Sequence, residues 1–220
     1  MHNDPDDLSI EQRYKILIGS IVPRPIAWVS TISTAGLHNL APFSFFTGVG
    51  SNPMTLLLCP ANKPDGSDKD TLKNAAPHDQ GGTGQFVVNI VPARLAPHMA
   101  ATAEPLPHGQ SEFQLANLTP APSVRVAPPR VAESPIAFEC QTILLHRTNP
   151  GQPSGGNILL GRVLHLHIDD SLLNDRFHIN QGALDALGRM GGLDYCTTRQ
   201  RLSLPMGAPA LHAPFSLPPP

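Results

Sequence analysis

The sequence predicts a β-dominated fold with accessory helices, built as a closed or partly closed antiparallel barrel. Three observations carry this expectation. Strand-like runs recur through the whole length: IAWVSTI, NLAPFSFF, MTLLLC, GQFVVNIV, IAFECQTILLH and NILLGRVLHLHI. They are rich in β-branched and aromatic residues and are bounded by turn formers, as at STAGLHN and TNPGQPSGGN. The alternating βαβα order of a doubly wound sheet is missing.

The first run is entered through SIVPRPIAWVST, residues 20–31. Proline has no N–H to give a ladder, so Pro23 and Pro25 push this entrance onto an edge or into a loop. Arg24 is then held in a stiff, extended segment that suits a binding rim better than a sheet centre. In NLAPFSFF, Phe43 and Phe45 share one face and Phe46 takes the other, with Ser44 between them. The aromatics can fill the barrel. Alternatively, Pro42 lifts the strand so that backbone N–H groups near Phe43 and Ser44 meet a planar polar ring; spacing does not decide between the two.

Helical patterns are few, around residues 69–76, 93–103 and 183–190. The first begins KDTLKN and sets Lys69, Asp70 as N-cap and the Thr71 hydroxyl at a helix start, where unpaired N–H groups favour an anion. The same residues also read as a capped surface helix beside a solvated lysine. GGTG at 81–84 precedes a strand and reads as a turn, not as a dinucleotide fingerprint. The Pro-rich stretch from Leu106 to Pro135 contains Phe113, Leu115, Leu118, Val124, Val126 and Val131, which a solvated linker does not need. It is expected to be an ordered excursion across the barrel or onto a partner subunit. In GRVLHLHIDD the period-2 alternation puts His165 and His167 on one face, but no third ligand is near in sequence, and no metal is expected. The domain is read as residues 1–205, with 206–220 as a Pro-rich tail.

Bulk properties narrow the function. With 220 residues and 40 % hydrophobic content the chain suits one domain. The net charge of −2 argues against a nucleic-acid surface, which needs clustered Lys and Arg. No apolar run approaches the roughly 20 residues of a membrane span, and the acidic start MHNDPDDLSIEQ lacks the apolar core of a leader. A cytoplasmic protein without membrane partners is expected. Cys59, Cys140 and Cys196 have no CxxC spacing and suggest neither disulfides nor zinc. No GxSxG, HExxH or P-loop is present.

Taken in order, YKILIGSIVPRPIAWVST, NLAPFSFF three residues after Gly36, KDTLKN, TGQFVVN, SEFQLANLTPAPSVRVAPPRVAESPIAFEC, GRVLHLHIDD and RMGGLDY resemble the flavin reductase-like, FMN-binding split-barrel proteins. The resemblance runs from about Tyr14 to Tyr195. It implies a six-stranded antiparallel Greek-key barrel, a homodimer, and FMN in a groove at the dimer interface. It implies that Arg24 and Pro25, with Trp28, Val29, Ser30 and Thr31, form one wall, the two hydroxyls lying near the ribityl phosphate. Ala41, Pro42, Phe43 and Ser44 would run beside the isoalloxazine, and Lys69, Asp70 and Thr71 would form the phosphate end. Two departures are a polar loop, APHDQGG, before Gln85, and Asn117 where the pattern has glycine; asparagine tolerates the left-handed backbone such a turn needs.

The implied function is an FMN-dependent oxidoreductase that takes hydride from NADH or NADPH, with the cofactor carrying the chemistry. No side-chain acid or base is demanded; His108 is the candidate for a residue near the nicotinamide, against the reading of a free surface histidine. Arg189 and Tyr195 also match family residues, and Tyr195 is expected to serve folding. The acceptor is left open among free flavin passed to a monooxygenase component, a ferric complex and a small organic substrate. The rival readings are a non-catalytic module holding FMN or haem, and a pyridoxamine-phosphate-oxidase-like enzyme, for which no motif speaks.

Overall fold

The computed structural model describes residues 2, 4–107 and 110–214. Twelve strands are described: β1 (Arg24–Pro25), β2 (Ala27–Ile32), β3 (His38–Phe43), β4 (Phe46–Ser51), β5 (Met54–Leu58), β6 (Gln85–Ile90), β7 (Pro120–Ala121), β8 (Arg130–Val131), β9 (Ile136–Arg147), β10 (Asn157–Ile168), β11 (Leu187–Arg189) and β12 (Tyr195–Thr197). The α-helices are short: α1 (Ile10–Ser20), α2 (Asp70–Ala75), α3 (Ala96–Ala101), α4 (Glu112–Leu115) and α5 (Gln181–Leu184). The fold is thus mainly β with few helices. None of the described helices is long and apolar enough to cross a membrane.

Seven antiparallel strands form the main sheet in the order β3-β2-β6-β9-β10-β5-β4. Its two outer strands, β3 and β4, are joined by Ser44 and Phe45 alone. Laid flat, strands about 4.8 Å apart would hold these edges about 29 Å from each other. The three chain steps from Phe43 to Phe46 span at most about 11 Å. The sheet must therefore curl until its edges meet at that corner. Inward side chains from all seven strands join one core, including Val29, Phe43, Phe46, Leu58, Phe86, Cys140 and Leu159.

The expected six strands are thus seven. NLAPFSFF, read as one strand, is broken because the corner is tied elsewhere: the Ser44 hydroxyl accepts from Arg24 Nε at 3.1 Å, and the Phe45 carbonyl accepts from the Cys59 N–H at 2.8 Å. No ladder joins β3 to β4 among the described residues, so the barrel is not closed by hydrogen bonds.

Proline falls where the ladder can spare an N–H. β1 is an edge of the small β1-β11-β12 sheet. In β3, the Leu40 N–H points away from β2 and donates to Glu112; Pro42, two residues on, shares that outward orientation, so its missing N–H costs the ladder nothing.

The Pro-rich excursion crosses the outer face of the sheet. Phe113, Leu118 and Val131 are buried with Trp28, Leu40, Leu95 and Met99, while Val126 packs on Val87 and Ala137. Leu115 and Val124 remain exposed. Asn117 adopts the left-handed backbone, φ 51°, with which it ends α4. Over residues 183–190 the helical expectation fails after Leu184: Leu187–Arg189 is a strand, with Gly188 packed so closely that an added Cβ would stand 2.8 Å from Cys196 Sγ. The three cysteines are free; Cys140 is buried and the other two partly so. His108 and residues 215–220 of the tail lie outside the described residues.

Candidate functional site

β3 is an edge strand, so one side of its backbone is left to other partners. Against that side lies a cleft of about 540 Å³. Its long wall is Asn39, Ala41, Pro42 and Phe43; the start of α2 supplies Lys69, Asp70 and Thr71; Lys63, Pro64 and Asp65 stand opposite, and Thr102 to Leu106 with Glu112 close the remaining side. Six of the expected positions, Ala41, Pro42, Phe43, Lys69, Asp70 and Thr71, are brought together here.

At the α2 end, Lys69 rather than Asp70 holds the cap position, and no side-chain cap bond is made. Asp70 is the first helical residue and is engaged by Lys63 at 3.6 Å and Lys73 at 3.4 Å. Lys69 forms no ion pair among the described residues and is exposed. Thr71 is buried, and its Oγ1 accepts from Asn39 Nδ2 at 2.9 Å, while its O–H donates to no partner among the described residues. The lysine ammonium and this hydroxyl make an end fit for an anion.

The other expected residues support the cleft from behind. Thr31 is fully buried, and its Oγ1 accepts from Asn39 Nδ2 at 3.3 Å and Asn74 Nδ2 at 3.1 Å. It thereby orients Asn39, which in turn holds Thr71. Ser30 is fully buried and donates to the Pro129 carbonyl at 2.5 Å. Trp28 donates from Nε1 to Thr102 Oγ1 at 2.8 Å and so anchors the Thr102–Leu106 segment that closes the cleft. Val29 lies in the barrel core.

Arg24 does not reach the cleft. Its Nη1 donates to the carbonyls of Ile18 at 2.6 Å and Ile21 at 2.7 Å, and its Nη2 to that of Met190 at 2.9 Å. With Nε on Ser44 and the guanidinium 5.9 Å from the Phe45 ring centre, it joins α1, the end of β11 and the β3–β4 corner. Pro25 pairs with Gly188 beside it. Arg189 stacks 4.4 Å from the Tyr195 ring centre and bonds the Gly192 carbonyl, so both serve the small sheet.

Sequence reasoning missed Lys63, Asn39 and Glu112. Lys63 and Asp65 sit in the turn-rich NKPDGSDKD, whose charge and closeness to Lys69 are a readable signal. Glu112 is not readable as a site residue, because its place depends on α4 packing against β3. It is buried, its Oε2 accepts from the Leu40 N–H at 2.9 Å, and burial pushes its carboxyl up from the ordinary value despite that bond.

The profile of the family described as "Flavin reductase like domain" matches residues 18–187. The structure is similar to nitrilotriacetate monooxygenase component B from Bacillus cereus, at 31 % identity and TM-score 0.85, covering 93 % of this chain and 98 % of that one. It is similar to 2-nitrobenzoate 2-nitroreductase from Pseudomonas fluorescens, at 28 % identity and TM-score 0.80, covering 94 % and 97 %. A split-barrel-domain protein from Shewanella frigidimarina NCIMB 400 shares the fold at 20 % identity and TM-score 0.78, over 94 % of this chain and all 100 % of that one.

Proposed function

The chain belongs to the flavin reductase-like domain family, and from that premise we propose that it is an FMN-dependent oxidoreductase that takes hydride from NADH or NADPH. The observation that carries this reading is the cleft along the edge strand. Lys69 and the Thr71 hydroxyl suit a phosphate at one end. Ala41, Pro42 and Phe43 offer an apolar wall with an outward backbone carbonyl for the polar edge of a ring. Held by Lys69 and Thr71 at its phosphate and by the Ala41–Phe43 wall at its ring, FMN would supply the hydride chemistry.

The chain's own residues would bind, orient and exclude water. Asn39, fixed by Thr31, would present the Thr71 hydroxyl, and Trp28 would hold the closing Thr102–Leu106 side through Thr102. The acceptor belongs to one of three classes: free flavin delivered to a monooxygenase component, a ferric complex or a small organic compound. The first is favoured by likeness to a monooxygenase component B, the third by likeness to a nitroreductase.

The reading includes a homodimer, supported by α1. Ile10, Tyr14, Leu17 and Ile21 are each about half exposed, at 52, 55, 45 and 54 %, and fall within about 60° of one another around the helix and its cap. The three free cysteines fit a reducing cytoplasm, where reduced nicotinamides are made.

The test is an absorbance spectrum of protein supplied with FMN and desalted, repeated without oxygen after NADH and then NADPH. Retained flavin bands that bleach with either nucleotide are expected. Retained bands that stay unbleached would replace the enzyme with a binding module, and loss of the flavin on desalting would remove the site.

A further inference from the structure

The two histidines of GRVLHLHIDD have a third potential ligand that their sequence neighbourhood hides. In the β9–β10 ladder His165 stands directly across from Glu139, and His167 lies two residues further along the same face. His167 Nε2 is 2.5 Å from Glu139 Oε1, and the two imidazole centres are 4.8 Å apart with planes at 67°. One ligand atom from each of the three side chains can be chosen so that all lie within 4.8 Å of one another. None of the three lines the cleft described above.

We propose that Glu139, His165 and His167 form a binding site for a divalent transition metal, Zn²⁺, with solvent in the fourth position. Two imidazole nitrogens and one carboxylate oxygen are a donor set zinc takes readily. Glu139 is completely buried, yet it is aimed by backbone: Oε1 accepts from the Val124 N–H at 2.8 Å and Oε2 from the Arg125 N–H at 2.6 Å. Such outer bonds fix a metal-binding carboxylate in place.

The move to a metal site is small. Ligand atoms each about 2.0–2.1 Å from zinc stand about 3.3 Å apart in a tetrahedron. The His167–Glu139 contact must open by less than an ångström, and His165 must turn inward. Both imidazoles are only partly buried, with His167 23 % exposed, so the rings can turn without disturbing the ladder. His167 Nε2, which faces the Glu139 carboxylate, already points in the direction that zinc would take. His167 also lines an open cleft of about 560 Å³ with Arg94, Arg130 and Asp169, which gives solvent a route to the fourth position. The bound metal would clamp the end of β10 to β9 beneath the 123–126 loop.

The test uses the full chain, stripped with a chelator and dialysed, then titrated with ZnCl₂ by calorimetry and with Co²⁺ by visible absorbance. One zinc per chain is expected, with tetrahedral cobalt bands. His165→Ala and His167→Ala should each weaken binding by about tenfold or more, while Cys59→Ser and His146→Ala leave it unchanged. Glu139→Gln is a less secure variant because its carboxylate also holds the 123–126 loop, so the histidine variants decide. Absence of stoichiometric zinc binding, or binding that survives the double His165→Ala, His167→Ala change, would overturn the site.

Discussion

Glu112 shows how one buried carboxyl shapes the site and its response to pH. Its Oε2 accepts the outward N–H of Leu40, while burial raises its pKa above the ordinary 4.5. The folded chain therefore holds this proton more tightly than the unfolded chain. The stability linked to it is complete below the ordinary value and is lost as pH rises from there through the raised folded value. Glutamine keeps an oxygen for Leu40 but cannot ionise. Glu112→Gln should thus gain stability relative to the parent as pH is raised from about 4 to about 8, read from urea unfolding at several pH values. A parent that gains on the variant over that range would contradict the sign. Arg24 gives the converse lesson. An arginine between two prolines looks like a binding rim in sequence, but three backbone carbonyls and Ser44 take its donors. Two of those carbonyls, of Ile18 and Ile21, are local, but that of Met190 and the Ser44 hydroxyl come from distant parts of the chain that no local pattern marks.

At the scale of elements, α1 is the exception to the core. It begins with a capping box, Ser9 Oγ accepting from the Gln12 N–H and Gln12 Oε1 from the Ser9 N–H, yet none of its residues is buried. A helix of this length is marginal in water without packing. Its apolar stripe is therefore expected to lie against a second copy. Replacing Tyr14 and Leu17 by aspartate should convert a dimer into a monomer by light scattering; a parent chain that is already monomeric would contradict this. The capping box was legible in LSIEQ, and the helix could have been anticipated from it. Strands were more legible than helices: NILLGRVLHLHI matches β10 end to end, because period-2 alternation and the flanking turn agree. NLAPFSFF misled because its two halves belong to opposite edges of the sheet, a matter of closure and not of local pattern.

Across the whole molecule, the curled sheet has an edge strand at each end, β3 and β4, and the helix start and the excursion complete a cleft around the β3 edge. The residues that line it were legible in part. Ala41 to Phe43 and Lys69 to Thr71 could be picked out through family resemblance; Lys63 had a signal in its charge and closeness to Lys69, whereas Glu112 reaches the cleft only through tertiary packing. Ser30, Thr31 and Trp28 were recognised as belonging to the region but act one layer behind it, since a strand in the middle of a sheet turns its side chains into packed faces. The claim that depends most on this geometry is that the cleft holds the flavin phosphate at Lys69. The decisive measurement is an FMN titration, by quenching of flavin fluorescence at low ionic strength, of the parent, Lys69→Ala and Lys15→Ala, the last removing an α1 lysine that pairs with Glu11 outside the cleft. Lys69→Ala should bind FMN about tenfold more weakly, or about 1.4 kcal/mol, with Lys15→Ala close to the parent; equal affinity for all three would contradict the account.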